Sequence, residues 1–205
     1  MDARFEDVAP VASAYDTSPR KNEISRLIRK FYFGDRHIDN DTTTSVVNML
    51  TDGWFLQGAD PAVSLHALRG PAPVFYYHFT YRGSVSFITL FGNATESHGV
   101  SHGDDLIYLF PSESISPGTK LTAKDERVVD IMTTVWTNFA RTGNPNLSPD
   151  NAVQWRPVSS SHDKEYVQID SEGLTPKKGL LEERANFWNS LPLKSSHSGS
   201  ATSEL

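Results

Sequence analysis

Cysteine is missing from all 205 residues, which excludes disulfides and thiolate metal sites within them. Long apolar runs are missing too, and none approaches the ~20 residues that a membrane-spanning helix requires. Positive charge is in deficit: 19 Lys and Arg stand against 25 Asp and Glu, for a net charge of −6. With no basic stripe in the chain, neither nucleic acid nor an anionic membrane is expected as a partner. The opening residues, Met1-Asp2-Ala3-Arg4-Phe5-Glu6, lack the apolar core of a secretory signal peptide, and the chain is read as carrying none. What is present is 38% hydrophobic residues, 11% of the chain being aromatic. That is enough to build the core of one domain, or of part of a larger one.

Periodicity places the main elements. Ser18-Pro19 opens a helix with Ile24, Leu27, Ile28 and Phe31 at helical spacing, and Arg26, Arg29 and Lys30 read as its solvated outer face. A second helix is expected from Thr43 through Val46, Val47 and Leu50 towards Phe55. A third runs across Pro61 to Leu68 and stops at Gly70. Residues 73–81 are aromatic and β-branched without polar alternation, which suits a strand buried on both faces of a mostly parallel sheet. Thr122 with Asp125 three places on predicts a capped helix to Arg141, with Val128, Met132, Val135, Trp136 and Phe139 as its apolar stripe and Gly143 as its stop. Gln154–Val158 and Tyr166–Asp170 read as a short strand pair, and Glu182–Leu191 as a last amphipathic helix. Residues 193–205 form a Ser-rich tail expected to be disordered.

The segment richest in chemistry is Gly99-Val100-Ser101-His102-Gly103-Asp104-Asp105-Leu106, which leads into Ile107-Tyr108-Leu109-Phe110. It holds a histidine on a flexible loop, two carboxylates and an anchoring apolar run. It also fits G-x-S-x-G, the pattern of a nucleophile elbow. An elbow needs a buried strand before the serine, whereas Gly92 to His98 reads as loop. Ser101 and His102 are moreover sequence neighbours, whose side chains diverge instead of meeting as nucleophile and base. His102 is therefore the better candidate, with Asp104 and Asp105 fixing its loop. Asp105 is expected to anchor the loop through buried hydrogen bonds and not to serve as a triad acid. His98, four residues before His102, could begin a metal pair, but no third ligand follows at usable spacing and no metal is expected.

Three segments together resemble the type-B carboxylesterases, the family of cholinesterases, juvenile hormone esterases and insect carboxylesterases. The first is the His102 loop. The second is Val135-Trp136-Thr137-Asn138-Phe139-Ala140-Arg141-Thr142-Gly143-Asn144-Pro145-Asn146, similar to that family's late helix and the turn after it. The third comprises Asp52-Gly53-Trp54-Phe55 and Pro73-Val74-Phe75-Tyr76-Tyr77-His78-Phe79-Thr80-Tyr81, similar to its helix-then-strand segment. The resemblance implies an α/β-hydrolase fold, of which residues 1–192 would be an incomplete C-terminal part supplying the last sheet strands and their packing helices. It implies that His102 is the general base of a serine esterase acting on a small carboxylic ester, with no cofactor. The family's nucleophile serine, glycine-rich oxyanion loop and triad acid find no counterpart here, so the free chain is expected to be inactive.

Two other readings stand beside this one. One is a noncatalytic cholinesterase-like binding or adhesion domain, and the other is a small hydrolase using Ser101. Without the resemblance, His102 could be a loop histidine that merely bonds backbone. Phe87, Phe91 and Tyr108 could line a pocket near it, though core packing is the simpler use of each. Asn40, Asn93 and Asn146 head N-glycosylation sequons, which lean towards a secreted or secretory-pathway protein. The closing Thr202-Ser203-Glu204-Leu205 only loosely resembles a lumenal retention signal.

Overall fold

A computed structural model of the chain describes residues 2–88, 99–110, 118, 120–146, 153–162 and 164–193. The expected tail, beyond Leu193, lies outside them. The chain divides into two compact units, one of residues 1–61 with 181–205 and the other of residues 62–180.

In the first unit, helix α1 (Phe5–Ala12) precedes α2 (Lys21–Phe33), and the chain returns at the end as α7 (Glu182–Ser190). The buried stripe of α2 runs through Ile24, Ile28 and Tyr32, while Leu27 is 40% exposed. Arg29, read as part of a solvated face, instead donates to Asp2 at 3.0 Å and to the carbonyl of Gly34 at 3.0 Å. Phe5, Ala9, Met49 and Trp188 complete the core, and Phe31 stacks on Phe187 with ring centroids 3.9 Å apart. Burying such side chains is worth about 1.5–3 kcal/mol each before entropy is counted.

The two helices expected across 43–68 are one continuous element. Helix α3 (Thr43–Thr51) passes through a π-helical turn (Asp52–Leu56) directly into α4 (Gln57–Arg69). The wider turn brings Asp52 fully inside, where Arg184 Nε and Nη2 donate to its carboxylate at 2.5 Å each. Tyr32 donates its hydroxyl to the same carboxylate and receives the indole N–H of Trp188 at 2.7 Å. Gly53 is needed here for close approach, because a Cβ would lie 3.0 Å from both Ser13 Oγ and the Trp188 ring. Pro61 does not break the rod. The division between the two units falls inside α4.

The second unit carries the sheet. Strand β1 (Tyr77–Phe79) pairs in parallel with β2 (Glu165–Asp170), which turns back antiparallel onto β3 (Gly173–Lys178), in the order β1-β2-β3. The strand expected over 73–81 is thus shorter and only half-buried. The partner expected for 166–170 is also different. Residues 154–158 stay outside the ladder, bonding instead to the run that precedes β1 through Val158 N to Val74 O at 2.8 Å, and a tight turn at Ser171-Glu172 makes the hairpin.

Helix α5 (Asp104–Leu109) is short, and α6 (Ala123–Thr142) is long and closed as expected. A capping box joins Thr122 to Asp125, and left-handed Gly143 (φ 73°) ends the helix. Val128, Met132 and Val135 are buried with Ile107, Tyr108, Trp155, Val167 and Ile169, whereas Phe139 is 48% exposed. No helix among the described residues is long and apolar enough to cross a membrane.

Candidate active site

The loop ahead of α5 is a tight turn built around one glycine. The Asp104 amide donates to Ser101 O at 3.1 Å, and Gly103 has φ 83° and ψ −2°. These are the features of a type II turn whose third position needs a left-handed residue, which only glycine adopts freely. A Cβ on Gly103 would also sit 3.2 Å from the Phe87 ring. His102 occupies the second position of this turn, and its side chain is exposed.

Asp104 fixes the turn from within. It is 1% exposed and accepts three hydrogen bonds: from the Ser101 amide at 2.9 Å, the Ser86 hydroxyl at 2.8 Å and the Phe87 amide at 2.8 Å. A carboxylate buried this deeply is tolerable only when its lone pairs are filled. The buried anchor of the loop is thus Asp104, a correction to the part expected of Asp105. Asp105 is only half-buried and accepts one bond, at 2.8 Å, from the Tyr77 hydroxyl on β1. Burial, and then this carboxylate, push the Tyr77 hydroxyl's pKa well above its usual value.

The segment that Asp104 grips is itself held by a second buried carboxylate. Asp125, at 0% exposure, accepts from the Thr122 amide (2.7 Å) and hydroxyl (2.6 Å), the Ser84 amide (3.1 Å) and hydroxyl (2.8 Å), and the Tyr81 hydroxyl (2.9 Å). Burial raises the Asp125 pKa, but the Thr122 and Ser84 hydrogen bonds together outweigh it and bring the carboxyl down to about 2. Tyr108 donates to Val85 O at 2.9 Å, and burial pushes its pKa up. Gly83 lies so close that a Cβ would fall 2.1 Å from Asp125 Oδ1 and 2.2 Å from the Tyr108 oxygen. Residues 81–87 are thereby clamped at one end by Asp125 and at the other by Asp104. Nothing in the composition announced Asp125 as more than a helix cap, although Gly83-Ser84 beside Tyr81 was a trace of it.

Ser101 does not sit in an elbow among the described residues. No strand residue is assigned at Gly99 or Val100, and the positive φ of the turn belongs to Gly103. Tyr108 is 1% exposed and belongs to the core; Phe87 is half-buried against Gly103; Phe91 and His98 lie outside the described residues. Of the sequon residues, Asn40 is exposed at the start of a 3-10 turn (Asn40–Thr42), and Asn93 lies outside the described residues. Asn146 is turned to structural use. Its amide nitrogen donates to Asn144 Oδ1 at 2.8 Å and to Trp155 O at 3.0 Å, while its oxygen accepts from the Trp155 amide at 2.7 Å. A glycan on that nitrogen would have to displace one of these bonds.

Residues 2–188 match the family described as the carboxylesterase family. A carboxylic ester hydrolase of Bombus ignitus is 30% identical over 193 residues, covering 91% of this chain and 34% of that protein. The juvenile hormone esterase of Tribolium castaneum is 33% identical over 202 residues, covering 85% of this chain and 33% of that protein. Among solved structures, juvenile hormone esterase from Manduca sexta, with OTFP covalently attached, superposes with a TM-score of 0.73 at 23% identity, over 92% of this chain and 36% of that one. The chain therefore has the fold of the C-terminal part of an α/β-hydrolase, and it spans about a third of the length of the curated relatives it matches.

Proposed function

The chain belongs to the carboxylesterase family, and from that premise we propose that it supplies the general-base histidine, His102, of a serine carboxylic-ester hydrolase. The observation that carries this is geometric. An exposed imidazole stands at the tip of a turn whose base is locked by a buried carboxylate, as a group must be that meets substrate and nucleophile repeatedly in one orientation. In this role His102 takes the proton of a serine hydroxyl as that serine attacks the ester carbonyl. It then returns the proton to the leaving alcohol, and the acyl-enzyme is hydrolysed by the same exchange with water.

The serine, the oxyanion donors and the triad acid belong, on this reading, to a part of the enzyme other than residues 1–192, which form the incomplete C-terminal portion. The substrate is a small carboxylic ester and no cofactor takes part. The full enzyme is placed in the secretory pathway or outside the cell, with Asn40 as the best exposed of the described glycan acceptors.

A chimera tests the assignment. The upstream two-thirds of the Bombus ignitus relative, joined to this chain, is expected to hydrolyse chromogenic acetate or butyrate esters. His102→Gln in the chimera should lower kcat by about 10³-fold or more. The chain by itself should give no turnover above background. Ester hydrolysis by the free chain that Ser101→Ala abolishes would overturn the assignment in favour of a small independent hydrolase. A folded chimera that binds but never turns over esters would favour the binding-domain reading.

A further inference from the structure

We infer that Asp104 is the positioning residue of His102, and that it acts by tying the histidine turn to residues 84–87 and not by touching substrate; the inference rests on His102 being the base. Three distances carry it. One carboxylate oxygen, Oδ2, accepts from the Ser101 amide at 2.9 Å and from the Ser86 hydroxyl at 2.8 Å, while Oδ1 accepts from the Phe87 amide at 2.8 Å. The first bond lies within the turn, on the residue just before His102. The other two reach a segment that the Asp125 cluster and the Tyr108-to-Val85 bond hold rigid. The Asp104 side chain thus ties the backbone just before His102 to the core. Because Asp104 is 1% exposed and all three donors are neutral, its charge is stabilised where it lies and is not delivered to the imidazole.

An asparagine at 104 keeps the size of the side chain but replaces an acceptor oxygen by an NH₂ group. Whichever way the amide is turned, a donor then faces a donor, at Phe87 N or at the pair formed by Ser101 N and Ser86 Oγ. The turn must open on one side, and His102 loses its fixed setting even if the fold persists.

The test reads the histidine itself, in the full chain carrying ¹⁵N-labelled histidine. The His102 imidazole signals are assigned as those lost in His102→Gln. Asp104→Asn is expected to displace them by more than a linewidth. The Ser101 and Phe87 amides should exchange with solvent at least tenfold faster. Ser86→Ala, which removes one of the three donors, should give a smaller change of the same kind, and it serves if Asp104→Asn fails to fold. Asp52→Asn, which damages a buried carboxylate in the other unit, should lower stability and leave the His102 signals in place. Unchanged His102 signals in folded Asp104→Asn or Ser86→Ala, or equal disturbance by Asp52→Asn, would overturn the inference. Failure of the base assignment would show separately, as an active chimera carrying His102→Gln.

Discussion

The carboxylate of Asp104 lies 2.8 Å from the backbone amide of Phe87, seventeen residues earlier in the chain. The setting of the histidine turn thus depends on a segment outside it. That segment depends in turn on Asp125, at the start of another helix. Each link can be broken separately.

Acid should open the Asp125 end first. Its carboxyl titrates at about 2 in the fold against the ordinary aspartate value of 3.8, so the unfolded chain binds the proton more tightly. The resulting stability, about 2 kcal/mol, is fully present above pH 4 and drains away as the pH falls from there towards 2. Urea unfolding followed across that window should show the slope, and Asp125→Asn should flatten it while costing stability at pH 7.

Gly83→Ala should be among the most damaging single-methyl changes in the chain. The added carbon would occupy space 2.1 Å from Asp125 Oδ1 and 2.2 Å from the Tyr108 oxygen. Overpacking of this kind costs roughly 3 kcal/mol or more. Thermal melts would register it, and a melting point within 2 °C of the parent, a loss of no more than about 1 kcal/mol for a chain of this size, would contradict the geometry.

Arg184→Ala in the other unit should cost about 3–5 kcal/mol, because it strands a fully buried Asp52 carboxylate with the Tyr32 hydroxyl as its one remaining donor among the described residues. Adding Asp52→Asn to it should recover part of the loss. Strictly additive losses in the double variant would mean that the two side chains do not interact as drawn.

Much of this was legible in the letters, and the gaps have physical reasons. The capped helix α6 was readable because Thr122, Asp125 and Gly143 each have a local job at a fixed spacing. Helix α1 left little trace, since Pro10 inside it is a poor helix former that tertiary packing overrides. The strand at 77–79 came out shorter, and its neighbour's partner differed, because strand pairing is decided by residues far apart and no local pattern records it. At the candidate site, His102 stood out through its glycines and its resemblance. Which of two adjacent aspartates turns inward did not, because one helical step of 100° separates them and both sit in the first turn of α5. The Asp52–Arg184 pair joins residues 132 apart and was invisible for the same reason.

The sheet leads to a prediction about the free chain. β1 is an edge of the described sheet, and beside it Phe75, Tyr77, Trp136, Phe139 and Trp155 line an apolar groove of about 180 Å³. Open edges and exposed aromatic surface invite association. Sedimentation of the chain alone should show concentration-dependent self-association, relieved in the chimera. A strictly monomeric, cooperatively unfolding free chain would contradict this.

The Asp125 cluster differs in kind from the Asp52–Arg184 pair, for every described donor to Asp125 is a hydroxyl or a backbone amide. Among the described residues no opposing ion bonds to it for dissolved electrolyte to shield, and short dipolar bonds in a dry interior feel bulk ionic strength little. The scaffold beneath the histidine should accordingly be indifferent to brine. The setting of the His102 turn should then hold through changes of salinity that would loosen an ion-paired anchor.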